Sequence, residues 1–188
     1  VKIIGYYTID TPYENEYYEV KKNFDQYGLD YQFYSIKNEG RWELNCGMKA
    51  SILRQALSDF DDNILYLDVD ARILRQPPFE EIETDLPGYI VFDSPWQKQQ
   101  LASGTIYFPN NDVSRSVIDD WIEDQTANPM MWDQVTLKRV YKNTKHSLID
   151  YKWCNILGHH GPQSRILETN DPVVLHTQVS RKYKAALA

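Results

Sequence analysis

Ile64-Leu65-Tyr66-Leu67-Asp68-Val69-Asp70 is the stretch on which the reading of this chain turns. Asn63–Val69 has the apolar run of a buried strand, and that strand emerges into two carboxylates. Side chains two apart on a strand share a face, so Asp68 and Asp70 are expected to point the same way. Two like charges that close repel unless a cation sits between them, and hard oxygen donors suit Mg²⁺ or Mn²⁺. An isolated Asp-x-Asp is more often a pair of solvated carboxylates at a strand end, because so short a motif recurs by chance. Its surroundings have to decide.

Upstream, Lys2–Thr8 reads as a buried first strand. Thr11-Pro12 offers an N-cap and a proline at the first helical position, opening a helix that runs to about Tyr27 before Gly28 stops it. Asp30–Ile36 resumes a strand pattern and 37–47 reads as a polar loop. Met48–Phe60 then places Ile52, Leu53, Ala56 and Leu57 at helical spacing before the Asp-x-Asp strand. The order is β-α-β-α-β. Such alternation calls for a parallel sheet covered by helices, with ligands at the carboxyl ends of its strands.

Downstream, Gly88–Phe92 and Ala102–Phe108 look like strands, and Val113, Val117, Ile118, Trp121 and Ile122 form a helical stripe. A shorter helix is expected over Trp132–Tyr141, and Val173–Leu175 is a last short strand ending at His176. No internal repeat or linker interrupts this, so 1–188 is read as a single α/β domain.

A chain of 188 residues buries roughly 70% of the surface its unfolded form exposes, enough for a real core. The net charge is −7 and the basic residues are scattered except in Arg181-Lys182-Tyr183-Lys184, so no nucleic-acid footprint is present. No apolar run approaches the roughly 20 residues that span a bilayer, so no integral membrane segment is expected. With no Asn-x-Ser/Thr acceptor site, the chain is expected to be cytoplasmic; because it begins at Val1 without Met, a trimmed anchor or signal stays open. Cys46 and Cys154 lack metal-ligand spacing, so free thiols are expected and one disulfide is left open. The 14 Tyr and 5 Trp are unusual; aromatic faces serve cores as well as carbohydrate and nucleobase sites, and composition does not separate the uses.

Several segments, in order, resemble one family. These are Tyr7-Thr8 with Thr11-Pro12-Tyr13; Trp42, Asn45-Cys46 and Lys49; the Leu65–Leu74 block; Ala102-Ser103-Gly104-Thr105-Ile106-Tyr107-Phe108; and Trp132-Asp133-Gln134. Together the chain resembles nucleotide-diphospho-sugar transferases of the glycosyltransferase A fold. The resemblance runs from about Tyr7 to Lys182. It implies a single Rossmann-like domain with a mixed, mostly parallel sheet flanked by helices. It also implies a metal at Asp68 and Asp70 that clamps the diphosphate of a sugar nucleotide.

By the same resemblance Tyr7, Thr8 and Tyr13 are candidates for the nucleobase end of the donor, against core or helix-face aromatics. Lys49 is a candidate for the diphosphate or sugar, against a solvated helix lysine. Trp42 and Asn45 are expected to shape their loop rather than touch donor. Asp133 and Gln134 are candidate catalytic residues at donor-sugar or acceptor hydroxyls, although an Asp in a first helical turn is also favoured by the helix dipole. Ser103, Gly104 and Thr105 fit a strand that a ligand approaches closely, or a packing bulge. His176 and Lys182 have a spacing similar to that in glycogenin-like transferases, where the His completes the metal shell and the Lys meets the diphosphate. That family's intervening Gly and following Pro-Trp are missing from Thr177-Gln178-Val179-Ser180-Arg181-Lys182-Tyr183, which leaves Arg181 or Lys184 as substitutes. His159-His160 is a weaker metal candidate.

The expected activity is that of a hexosyltransferase using Mn²⁺ or Mg²⁺ and a nucleotide-diphosphate sugar, with UDP preferred by resemblance. The acceptor is a glycan, protein or lipid hydroxyl. The His and Lys spacing favours retention of configuration, with Asp133 and Asp93 the carboxylates to test as a base. Two other classes compete. A non-catalytic sugar-nucleotide-binding module would keep the pocket, and a haloacid-dehalogenase-type phosphatase also ends a strand in Asp-x-Asp. The phosphatase normally carries Thr or Val where this chain has Arg72.

Overall fold

The computed structural model describes residues 1–93, 98–156 and 169–180. It begins with β1 (Lys2–Thr8), α1 (Pro12–Gln26), β2 (Tyr31–Ile36), α2 (Trp42–Gly47), α3 (Lys49–Asp59) and β3 (Ile64–Leu67). β1 pairs in parallel with β2 on one side and β3 on the other, as the β-α-β-α-β order requires. Local chemistry sets the limits of α1. The Thr11 hydroxyl accepts from Tyr13 N–H, Pro12 occupies the first turn, and Gly28 at φ 61° takes the left-handed conformation that lets the chain turn back. Gly5 is required for a different reason: a Cβ there would stand 2.8 Å from the Leu67 carbonyl and inside the Phe33 ring.

The expected polar loop over 37–47 is half helix. α2 escapes a periodicity argument because it is short and buries none of its residues. Non-local bonds support it: the Tyr6 hydroxyl donates to the carbonyls of Asn45 and Cys46, and Asn45 ties back to Glu39 N–H and Asn38.

The chain continues through β4 (Ala71–Ile73), β5 (Gly88–Phe92), β6 (Gln100–Phe108), α4 (Asp112–Ala127), α5 (Asp133–Tyr141), β7 (Ser147–Leu148), β8 (Asn155–Ile156) and β9 (Val174–His176). The main sheet has the order β2-β1-β3-β6-β5-β7. Only β6 runs against its neighbours β3 and β5, so the sheet is mixed and mostly parallel. α3, α4 and α5 bury Leu53, Trp121 and Leu137 with Tyr66 and Ile106 of the sheet in one core. Each such large side chain contributes roughly 1.5–3 kcal/mol relative to exposure. Phe24 of α1 packs with Leu65 and Tyr107 in a second core that also takes in Ile73 and Val174 of a small sheet, β4-β9-β8.

Two details differ from the sequence reading. Val113 is 41% exposed because the buried face of α4 runs through Ser114, Val117, Ile118, Trp121 and Gln125 instead. The sequence reading names no strand at β4, β7 or β8, of three, two and two residues. Both cysteines are free, Cys46 half-buried and Cys154 buried. Among the described residues no helix is long and apolar enough to cross a membrane.

Candidate active site

β3 ends at Leu67, and Asp68-Val69-Asp70 leaves it as a turn closed by Ala71 N–H donating to the Asp68 carbonyl at 2.9 Å. The expected mechanism, alternation along a continuing strand, is therefore not what brings the two carboxylates together. The turn does so, and it feeds β4, whose Ala71 lies opposite His176 of β9. One ligand atom from each of Asp68, Asp70 and His176 falls within 4.8 Å of the others. Asp70 and His176 are buried, while the Asp68 side chain is 38% exposed to the cavity in front of it.

Hydrogen bonding fixes the imidazole. The Thr105 hydroxyl donates its one proton to the Trp153 carbonyl at 2.8 Å, so towards His176 Nε2, 2.9 Å away, it can only accept. Nε2 thus carries a proton and Nδ1 faces Asp70 Oδ1 at 3.3 Å. A neutral imidazole would set a lone pair against a carboxylate there. A positive charge has to lie between them, either a proton on Nδ1 or a metal ion. Burial opposes charge on His176, but Cys154 and Asp70 outweigh it and the pKa is raised well above its usual value. Burial likewise opposes charge on Asp70, yet its hydrogen bond with His176 and the Val179 N–H hold it below the usual carboxylate value.

The donor set of two carboxylates and one imidazole suits Mn²⁺, and its oxygens also suit Mg²⁺. Thr105 supplies the outer partner that a ligating His normally has. Gly104 leaves the room: a Cβ on it would come within 3.1 Å of Asp68 Oδ2 and 3.0 Å of His176 Cε1. The residues present fit a divalent cation.

Beside this set lies a second buried pair. Lys49, the first residue of α3, is 3% exposed, with Nζ 3.1 Å from Asp68 Oδ1 and 2.6 Å from Asp133 Oδ2, and it donates to the Ser103 carbonyl at 3.0 Å. Burial alone would push its pKa down; Asp133 and Asp68 together push it up. A solvated helix lysine it is not. Asp133 Oδ2 is itself shut away from solvent, so at 2.6 Å it and Lys49 form a buried ion pair. Tyr66, read from sequence only as a strand residue, donates its hydroxyl to Asp68 Oδ1 at 2.7 Å. Its place two residues before Asp68 in the strand expected over Asn63–Val69 was the available signal.

A cavity of about 410 Å³ unites these groups. Tyr7, Thr8, Tyr13, Lys49, Asp68, Asp70, Ser103, Gly104, Asp133, Gln134 and His176 all line it. Trp42 and Asn45, expected only to shape their loop, line it as well, as do Tyr6 and Cys154. Thr105 stands behind His176 rather than on the wall. Asp93 accepts from Gln99 N–H and is not on the wall. At the far end Tyr7 stacks on Tyr17 with centroids 4.4 Å apart, and Tyr13 is partly buried with a hydrogen bond from Trp42. Lys182, its substitutes Arg181 and Lys184, and His159-His160 lie outside the described residues.

No family model and no curated protein matches the sequence. Solved structures do match in three dimensions. A glycosyltransferase involved in glycosylation of the major capsid of PBCV-1 aligns with a TM-score of 0.71 at 14% identity, over 100% of this chain and 98% of that one. The galactosyltransferase LgtC, in complex with donor and acceptor sugar analogues, aligns at 0.58 and 13% identity, over 94% and 86%. Mouse xyloside xylosyltransferase 1 aligns at 0.54 and 11% identity, over 96% and 99%. At these identities the likeness is one of fold. The fold is the single-domain glycosyltransferase A fold.

Proposed function

We propose that this protein is a metal-dependent glycosyltransferase that moves a sugar from a nucleotide-diphosphate sugar, a UDP-sugar by resemblance, to an acceptor hydroxyl with retention of configuration. The observation that carries this reading is the imidazole of His176, set by Thr105 so that Nδ1 meets Asp70 beside Asp68. When bound there, Mn²⁺ or Mg²⁺ supplies positive charge to a departing diphosphate.

The chain's own groups do the rest. Asp68, Asp70 and His176 would hold the cation. Tyr7, Thr8 and Tyr13 would bind the nucleoside end, with Ser103 and Gly104 along the wall between. Thr105 acts through His176 as a positioning residue. Lys49 holds Asp133 and Asp68 in one frame, and Asp133, whose Oδ2 is taken by Lys49, would offer its other oxygen to a sugar hydroxyl, with Gln134 beside it. Asp133 is the one carboxylate on the described wall outside the cation set, and its charge is already matched by Lys49. That favours attack from the face the leaving group departs, without a dedicated base. Lys182 would add a cation at the diphosphate. Solved transferases that share the fold support the class.

A panel of nucleotide sugars with and without Mn²⁺ tests the reading by thermal shift. A ligand at about 100 times its dissociation constant adds about 2.7 kcal/mol to stability. The reading fails if no nucleotide raises the midpoint in a metal-dependent way, or if Asp70→Ala leaves that rise intact.

A further inference from the structure

The segment from His176 to Val179 wraps Asp70, and one of its residues stands in a backbone conformation that belongs to glycine. His176 Nδ1 meets Asp70 Oδ1 at 3.3 Å, Thr177 donates its N–H at 3.2 Å and its hydroxyl at 3.3 Å to the Asp70 carbonyl, and Val179 N–H donates to Oδ2 at 3.1 Å. Between Thr177 and Val179 lies Gln178 at φ 57°, in the left-handed region. A Cβ crowds the backbone there, so glycine is the usual occupant, with Asn or Asp the usual exceptions. The turn at 178 brings Val179 N–H onto the carboxylate. It needs backbone alone, and glycine would make it with less strain. None of the described bonds to Asp70 comes from the Gln178 side chain. Gln178 is half-buried and lines the cavity. Backbone strain that surrounding contacts enforce at a cavity wall is the mark of a functional position.

We infer that Gln178 is a donor-binding residue whose carboxamide donates to the phosphate oxygens of the sugar nucleotide beside the cation. The inference rests on the glycosyltransferase reading of the same cavity. Position ties Gln178 to the phosphate end of the donor rather than to either sugar, because its neighbours on both sides are bonded to the cation-binding Asp70. Charge selects the same occupant. Among the described residues of the wall, only Lys49 and His176 can carry positive charge; Lys49 already lies between Asp133 and Asp68, and His176 faces Asp70. A cation bound there is likewise met by Asp68 and Asp70. A diphosphate drawn to that cation brings negative charge of its own, and neutral donors are what the described wall has left to give its oxygens. A hydrogen bond from an amide N–H to a charged oxygen is roughly twice as strong as one between neutral groups, which is a reason to keep a side chain where glycine would be less strained.

Calorimetry with Mn²⁺ and with UDP plus Mn²⁺, on the unmodified protein, Gln178→Ala and Gln178→Gly, separates the side chain from the backbone. Alanine keeps the Cβ and loses the amide; glycine loses both. Each variant is expected to bind UDP roughly tenfold more weakly, about 1.4 kcal/mol, with affinity for Mn²⁺ alone held within about twofold. The ligand-free unfolding midpoint is expected to stay level in Gln178→Ala and to rise by about 2–4 °C in Gln178→Gly as the strain is relieved. A variant that is more stable yet binds UDP less well is an outcome that a purely structural residue would not give. Absence of Mn²⁺-dependent UDP binding in the unmodified protein sinks the donor reading and this assignment with it. Unchanged UDP affinity in Gln178→Ala overturns the assignment and leaves the donor site standing. So does a loss of Mn²⁺ affinity equal to the loss for UDP, which would make residue 178 a support for Asp70 alone, or a midpoint that fails to rise in Gln178→Gly.

Discussion

Two buried acid–base pairs share one cavity, Asp70 with His176 and Asp133 with Lys49, and they are built differently. Both oxygens of Asp70 are engaged, one by Val179 N–H and one by an imidazole whose charge a metal ion can replace. Asp133 meets, at 2.6 Å, a lysine whose raised pKa keeps its charge at any ordinary pH. The first pair is exchangeable and the second permanent. One is suited to admitting a cation, the other to holding a shape around a substrate.

Removing the permanent charge is the strongest way to break this contrast. Lys49→Met strands Asp133 in a site where it is 5% exposed, and breaking a buried pair costs about 3–5 kcal/mol. Urea unfolding is expected to show that loss, with much of it recovered in Lys49→Met/Asp133→Leu. His176→Gln, which leaves Asp70 its backbone bond, is expected to cost less; an equal cost would erase the distinction. Gly104→Ala comes next. It crowds Asp68 and His176 with a methyl group at roughly 1–3 kcal/mol and is expected to abolish the Mn²⁺-dependent shift.

Thr105→Val tests the exchangeable pair from behind. It removes the acceptor for His176 Nε2–H and a donor to Trp153, and is expected to weaken Mn²⁺ binding about 10- to 100-fold by calorimetry, with Lys49 and Asp133 undisturbed.

The smallest effect is in pH. His176 has a raised pKa, so its contribution to the metal-free protein is complete below the unfolded value and is lost as pH rises through the folded one. Asp70 has a lowered pKa, so its contribution is complete above the unfolded value and is lost as pH falls through the folded one. Unfolding midpoints without metal are expected to sag at alkaline pH, and with Mn²⁺ in place of the proton that sag should disappear. A sag that persists with Mn²⁺ bound would count against exchange.

How much of this the sequence disclosed follows the range of the interactions. β1, α1, β2 and α3 carry their signals locally, in apolar spacing, the Thr11-Pro12 start and the Gly28 stop, and lie within a residue or so of their expected limits. α2 has no buried face to generate a period, and β4 and β8 are too short to show one. Asp68 and Asp70 were legible as a pair, but the turn that aligns them was not, because its geometry depends on β9 returning from far along the chain. Lys49 could be singled out by resemblance. Its two carboxylate partners could not, since one of them, Asp133, begins a helix in the other half of the chain. Trp132 carries no signal in its own segment, because what brings it to the cavity wall is its edge-to-face contact with Trp42, ninety residues upstream.

The register that sets Ala71 against His176 has a consequence for how the protein is made. Asp70 waits through 106 further residues for its imidazole, whereas β3, from which both carboxylates emerge, has its neighbours β1 and β6 in place by Phe108. Synthesis proceeds from the N-terminus, so the third donor is the last piece of the cation set to leave the ribosome. A chain stopped before Val174 should therefore fail to gain stability from Mn²⁺, and tight cation binding would serve as a built-in mark that β9 has joined β4.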